Sequence, residues 1–534
     1  MAEKEISIEI KKPELLILIV FLGLMLFLTA RVTIKTPINF GDEGFHTRIA
    51  QWFAQEKDYF AWVPFSGGGT EKSGFGRPPL WNLTEAGFYL IFGFHEFLGK
   101  LLPPIIAFFT GLSVYLLVKQ LYDKEVGFIA SVVSVTIPSF VTYSVLLYTD
   151  VMLTFYFSLF VFTLLLSLEK DEKKYFYLSA VFCSFSLLTK LPGIAAYVFV
   201  ILVFLYELFK KKDLNFLVKK YSIFVLILLL IPSTFFLRSL YYYKTPMCGF
   251  PFPFIEKDDC IVGGIEPDKK FTERTEQVGS ESGVLGMGLM NYLNFAYGSM
   301  WLVTFGFISG LILMFTKKDK TGILILLVFL SLLPLLGQGI FGRAEDTARY
   351  TLAWVPIISV VVGIYFAEIY KFIKKYLKQF ALVVFGFILI MSFLNLKQKT
   401  DVMLQVKQFS PLYFKACDWI KENTAKDSVL MTIWSNRAVY NCQRNVEGNI
   451  ADISLSTDLE YTLNKTKLYG VTHIFIQKFS MSDSPMSEKY TIEFVQFLEN
   501  NPDHFVNIFE NGPKLQECLQ AGGCDGNIVY EVKY

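Results

Sequence analysis

Charge is what this chain has least of. Only 18% of its 534 residues are Asp, Glu, Lys or Arg, against roughly a quarter in soluble domains. Histidine occurs four times, which leaves few candidates for an imidazole-rich metal centre. The formal net charge of +2 gives no argument for a nucleic-acid partner, and none is expected. No internal repeat and no low-complexity linker is visible. No small-residue cleavage site follows the first apolar run, so that run reads as an uncleaved anchor.

What the chain has instead is apolar length. Apolar residues make up 53%, mean hydropathy is +0.43, and phenylalanine alone occurs 54 times. Long apolar windows recur from residue 14 to residue 396, the mark of a multi-spanning helical membrane protein. The first span is Leu15 to Ala30; ten more read near 101–119, 126–147, 151–168, 176–190, 192–209, 221–240, 295–315, 322–337, 350–370 and 380–396. Lysines crowd alternate joints, at Lys119/Lys124, Lys170/Lys173/Lys174, Lys210 to Lys220, Lys317 to Lys320 and Lys371 to Lys378. Because cytoplasmic loops carry the excess of Lys and Arg, those joints face inward. Eleven spans then put the N-terminus in the cytoplasm and the last segment outside a plasma membrane. The short spans on either side of Leu191–Pro192 are kept apart, since merging them would break the charge alternation.

This divides the chain at residue 397. Residues 1–397 form a transmembrane core with outer loops 31–100 and 241–294, and residues 398–534 form an extracytoplasmic α/β domain. In that tail, helices at 411–423 and near 488–500 interleave with strands at 428–433, 471–477, 505–509 and 527–533. Cys183 lies in a span. Cys248, Cys260, Cys417, Cys442, Cys518 and Cys524 lie outside, where disulfides form, with Cys248–Cys260 and Cys518–Cys524 the local pairings. The sequons at Asn82 and Asn464 both face outward, and of the two only Asn464 reads as accessible. Loop 241–294, with Cys248, Pro251, Pro253 and Glu256, reads as a lid or as a plain connector. Trp62, Trp81 and Trp301 read as interfacial anchors.

Against so few charges, those at the outer span ends stand out. GDEGFHTR places Asp42, Glu43, His46 and Arg48 after the first span, and FGRPPLW brings Arg77. Asp150 starts the fourth span, Lys190 ends the fifth, Arg238 closes the seventh, and Arg343, Glu345, Asp346 and Arg349 precede the tenth. A transporter would place such groups near mid-span. Here span centres are almost uncharged, which suits handling a polar group borne by a lipid at one face. Each residue also has a plainer reading. Asp42 and Glu43 would suit a helix start, Asp150 an ordinary N-cap, and each cation a side chain reaching for the headgroups. Asp42 and His46 stand four apart, one helix face, where with His95 they could hold a divalent ion; a histidine bonded within its own loop is the simpler reading. A divalent metal stays open as a cofactor and is left out of the mechanism.

The order DE, RPPL, an acid after the third span, LTKLPG and ARYTLAWVP resembles the GT-C membrane glycosyltransferases of the protein O-mannosyltransferase and aminoarabinose-transferase type. The resemblance covers residues 10 to 400 or so; the tail is similar to the extracytoplasmic domains of archaeal relatives. It implies sugar transfer from a polyprenyl or dolichyl phosphate to a hydroxyl on protein, lipid-linked glycan or lipid. By that resemblance Asp42 is the general base, Glu43 orients the acceptor or the loop, and Asp150 positions substrate or shares the base role. Arg77, Lys190 and Arg349 clamp the lipid phosphate, with Arg238 and His46 further binding residues. Three rivals remain: an oligosaccharyltransferase, for which the tail lacks a WWDYG-like signature; a lipid flippase; and a tail-borne binding module anchored by its spans.

Overall fold

A computed structural model describes residues 13–38, 42–60, 77–243, 301–317, 322–331, 349, 351–405, 410–432, 435–447, 457–478, 493–514, 517 and 524–534. The chain divides into two compact units. The first gathers Met1–Lys35, Lys100–Pro232 and Leu285–Gln405; the second gathers Thr36–Gly99, Ser233–Val284 and Val406–Tyr534.

The first unit is helical. Among the described residues five helical segments are long and apolar enough to cross a membrane: Pro13–Lys35, Glu96–Leu121, Thr149–Lys170, Leu191–Lys211 and Leu352–Tyr376. A sixth arises if Leu214–Leu230 and the helix after Pro232 are taken as one bent span. Phe27, Phe209, Phe372 and Val383 are exposed outside the helix packing, as lipid-facing side chains are. Buried hydroxyls bond within the helices: Thr110 to the Ile106 carbonyl at 2.8 Å and Ser134 to that of Ala130 at 2.7 Å. Ser131 instead reaches across to the Gly111 carbonyl at 2.6 Å, joining two helices.

Two expected spans are broken, both at proline. The run 126–147 is a helix Lys124–Thr136, a short helix Pro138–Tyr143 and an irregular stretch to Tyr148. Pro138 offers no N–H and its ring pushes Ile137 into extended backbone, φ −59° and ψ 130°. Asn395 covers one freed carbonyl, donating to Thr136 at 2.6 Å. The run 221–240 ends a helix at Leu230 and resumes at Ser233, around Pro232. The helices on either side of Leu191–Pro192 are separate, Lys173–Thr189 and Ile194–Lys211.

The second unit holds a five-stranded sheet: β1 Val429–Met431, β2 Asn445–Glu447, β3 His473–Gln477, β4 Phe505–Asn511 and β5 Asn527–Val532, in the order β2-β1-β3-β5-β4. The β2-β1-β3 side is parallel and the β3-β5-β4 side antiparallel. Helices Pro411–Asn423, Ser435–Asn441, Leu459–Leu468 and residues 493–499 accompany it.

These compact units do not follow the division at residue 397. One apolar core joins Phe45, Ile49 and Phe53 of helix Glu43–Glu56 and Ala86 and Tyr89 of helix Leu80–Phe92 to Tyr413, Ile420, Leu430 and Val529 of the tail. Loop helices too amphipathic to stand alone thus bury their apolar faces on the tail.

A Cys417–Cys442 disulfide ties helix Pro411–Asn423 to the chain just before β2, a pairing the sequence did not single out. Cys248, Cys260 and Cys518 lie outside the described residues, as does nearly all of loop 241–294. Beside the disulfide, the buried Arg444 closes the same helix. Its Nη2 donates to the carbonyls of Lys421 at 2.6 Å and Thr424 at 2.9 Å, and its Nε to Thr424 Oγ1 at 3.0 Å. Arg444→Ala should cost about 2–3 kcal/mol, because it strands buried acceptors, and Lys cannot restore the fork. Thermal unfolding of purified protein checks this: both variants should melt below wild type.

Candidate active site

Two clusters carry the expected site residues, one in each unit. In the first, helix Thr149–Lys170 starts after the extended Tyr148, and Asp150 sits in its first turn. Asp150 is 1% exposed and receives two cations. Lys190 Nζ donates to Oδ1 at 2.6 Å and Arg349 Nε to Oδ2 at 2.8 Å. The carboxylate is therefore taken up by ion pairs from two distant parts of the chain and is not an N-cap.

Local sequence explains how Lys190 gets there. TKLPG ends one helix and starts a 3₁₀ turn at Leu191–Gly193, leaving Lys190 extended between them. A Cβ at Gly193 would fall 2.1 Å from the Ser186 carbonyl oxygen, so only glycine lets the turn close this tightly. The Arg349 guanidinium also lies 4.5 Å from the Tyr148 ring centroid, within cation–π range. Tyr148 was not among the expected site residues; its place before Thr-Asp in LLYTDV was the available signal.

In the second unit Asp42 precedes helix Glu43–Glu56, and its side chain makes no capping hydrogen bond to that helix. Instead its Oδ2 lies 3.8 Å from Arg77 Nη1, with Asp42 mostly enclosed and Arg77 half exposed. Arg77 in turn lies 4.7 Å over the Phe45 ring. Arg77 was expected to join Lys190 and Arg349 in one clamp; its pairing is with Asp42, while those two pair with Asp150. Glu43 is fully buried, on the same side as the core residues of its helix.

His46 faces helix Leu80–Phe92. It is buried, and its Nδ1 lies 3.3 Å from Asn82 Oδ1, while the Asn82 amide donates to the His46 carbonyl at 2.9 Å. Asn82 is thereby buried and unavailable as a sequon, whereas Asn464 is exposed. His95 is exposed, and among the described residues no three metal-ligating side chains cluster. Arg238 has a different setting from Lys190 and Arg349. It is buried, its Nε donates to the Tyr59 carbonyl at 2.8 Å, and its guanidinium lies 5.3 Å from the Tyr59 ring. Trp81 is no interfacial anchor: helix Leu80–Phe92 turns Trp81, Asn82, Glu85, Ala86 and Tyr89 inward together. Trp62 and the Trp301 side chain lie outside the described residues, as do Arg343, Glu345 and Asp346.

Residues 76–236 match the family model described as dolichyl-phosphate-mannose-protein mannosyltransferase. No curated protein matches the chain by sequence. Among solved structures it is similar to the oligosaccharyltransferase AglB of Archaeoglobus fulgidus, in complex with an inhibitory peptide and a dolichol-phosphate, at TM-score 0.64 and 12% identity over 97% of this chain and 74% of that one. It is similar to ArnT of Cupriavidus metallidurans bound to undecaprenyl phosphate, at TM-score 0.61 and 10% identity over 96% and 97%. The mycobacterial arabinofuranosyltransferase AftD aligns at TM-score 0.54 and 11% identity, over 96% of this chain and 40% of that one. The chain thus shares the GT-C fold of these membrane glycosyltransferases, and the segment that matches the family model spans Arg77, Asp150 and Lys190.

Proposed function

We propose that the protein moves a single sugar from a polyprenyl or dolichyl phosphate to a hydroxyl acceptor at the outer face of the plasma membrane. In this reading eleven spans put the N-terminus in the cytoplasm and the tail outside. The acceptor oxygen attacks the anomeric carbon and gives its proton to Asp42. The bond from that carbon to the phosphate oxygen breaks, and the lipid phosphate leaves with the electron pair. A glycosyl phosphate is already activated, so no acid is needed to protonate the departing oxygen. Lys190 and Arg349 meet the charge that grows there, and Arg77 accompanies Asp42. Asp150, held between two cations, acts by fixing them and not as a second base. Glu43 sets the helix that carries Asp42.

The observation that carries this reading is the convergence of Lys190 and Arg349 on one buried carboxylate at a helix start. Such a pair is worth its desolvation where a polar group of a lipid must be met. The lipid phosphates named in the AglB and ArnT structures are of the class proposed.

The AglB likeness favours one second reading, en bloc transfer of a glycan to asparagine. Against it, IWSNRAVY at 433–440 has no acid where a WWDYG-like motif would supply one. The test is incubation of purified protein with labelled polyprenyl-phosphate sugars, membrane extract and a sequon peptide. Label on hydroxyls of protein, glycan or lipid supports the proposal. Label on the peptide asparagine supports the rival, and label that only crosses the bilayer supports a flippase.

A further inference from the structure

We propose that the lysine-rich joint between helices Ile194–Lys211 and Leu214–Leu230 is a docking surface for anionic phospholipid headgroups. Binding of this kind is independent of the chemistry given to Asp42 above, so either can fail without the other.

The joint is a tight hairpin. Lys212 closes the first helix in the left-handed region, φ 54°, and Asp213 caps the second, its Oδ1 accepting from the Phe216 N–H at 2.9 Å. From Glu207 to Tyr221 the chain carries five lysines, Lys210, Lys211, Lys212, Lys219 and Lys220, against two acids, Glu207 and Asp213.

One of those acids fixes the shape. Glu207 is 5% exposed. Lys220 Nζ donates to its two oxygens at 3.0 and 2.9 Å, the Tyr221 hydroxyl donates to Oε2 at 2.8 Å, and Lys211 Nζ lies 3.1 Å from Oε1. A buried carboxylate with that many donors can keep its charge. Lys220 also lies 5.1 Å over the Phe176 ring, so helix Lys173–Thr189 backs the hairpin. Glu207 thus holds one lysine from each helix and brings both lysine runs to the same end of the helix pair.

What remains is cationic. Lys210, Lys212 and Lys219 are exposed, and among the described residues no acid pairs with them. Apolar side chains stand between them: Phe209, Leu214, Phe216 and Val218 are each more than half exposed. Lysine heads beside bare apolar groups suit the boundary of a bilayer, where the apolar groups meet acyl chains and the lysine stems reach the phosphates. The segment Leu191–Lys211, long and apolar enough to cross a membrane, ends inside the cluster. Its cations therefore stand at headgroup level, and not out in solution where an acidic protein would be met. An anionic lipid phosphate brings the charge that this surface lacks.

Phosphatidylglycerol and phosphatidylcholine are the probes, each titrated onto the full-length protein in neutral detergent and counted by native mass spectrometry. Wild type should prefer phosphatidylglycerol. Lys210→Gln/Lys212→Gln/Lys219→Gln should weaken phosphatidylglycerol binding at least about fivefold, the effect of losing about one lysine from an anionic surface. Phosphatidylcholine binding should stay as it was. Arginine at the same three positions should keep the preference, and added salt should reduce it more in wild type than in the glutamine variant. These side chains are exposed, so melting temperature should not move. A phosphatidylglycerol affinity untouched by the glutamines would overturn the proposal. So would an equal loss in Lys124→Gln/Lys374→Gln/Lys375→Gln, which takes three exposed lysines from other joints and would show that diffuse charge attracts the lipid. A wild type without lipid preference that retains an acidic protein through the same three lysines would give the surface to a protein partner instead.

Discussion

Asp42→Asn should lower sugar transfer by about 10²–10⁴-fold, the range expected when a positioned base is removed. The amide matches the carboxylate in size and can still accept a hydrogen bond, but it takes no proton from an attacking hydroxyl. Because the Asp42 side chain does not cap helix Glu43–Glu56, the change should leave that helix and the protein's melting temperature in place. The loss should therefore sit in the chemical step, with binding of the lipid donor close to wild type. A radiolabel transfer assay with a parallel lipid-binding measurement separates the two. Full transfer by the variant would remove Asp42 from the mechanism, and intact lipid flux without transfer would favour a flippase.

Asp150→Ala should have the largest effect on stability. The carboxylate is nearly inaccessible, and the side chains of Lys190 and Arg349 keep 16% and 18% of their surface exposed. Removing the charge that both share leaves two cations in a poorly solvated place, which costs about 3–5 kcal/mol for a buried pair. The residual exposure of the cations puts the expected value near the lower end. Asp150→Asn keeps the shape and one of the two acceptors, but faces the other cation with an amide N–H, so it should cost only somewhat less. Lys190→Met should offset part of the loss when combined with Asp150→Ala, because one stranded charge goes with it. Thermal unfolding of the purified variants orders them. An Asp150→Ala protein as stable as wild type would show that the triad holds nothing together.

Much of this was legible in the sequence, for identifiable reasons. Apolar length found the helical segments, and the tail alternation found helix Pro411–Asn423 and strands β1, β3, β4 and β5, because burial of one face leaves a periodic mark. The breaks at Ile137–Pro138 and Ile231–Pro232 were hidden by that same apolar continuity, which reads through a proline. The short strand β2 and helix Ser435–Asn441 are held by tertiary contacts more than by local pattern.

Residue type singled out Asp42, Asp150, Lys190 and Arg349, since charge in an apolar chain is conspicuous, and the structure finds them in two separate sets of ion pairs. Who pairs with whom was not legible, and neither was the burial of Arg238 and His46. Both depend on which helix faces meet. Lys211 and Lys220, useful for orientation alone, converge on the buried Glu207 at 3.1 and 2.9 Å; a topological signal can thus hide a structural role. The tail looked self-contained because its own strands and helices account for its apolar residues. Only the packing shows that it completes the core under the helix that Asp42 begins.

The proposed reaction depends most on the lipid phosphate being met by Lys190 and Arg349. Titrating undecaprenyl phosphate against purified wild type and a Lys190→Gln/Arg349→Gln variant, at fixed ionic strength and with folding checked by melting, measures this directly. Affinity should fall at least about tenfold, the effect of losing roughly 1.4 kcal/mol or more of charge-assisted contact. An affinity unchanged in a folded variant would contradict it.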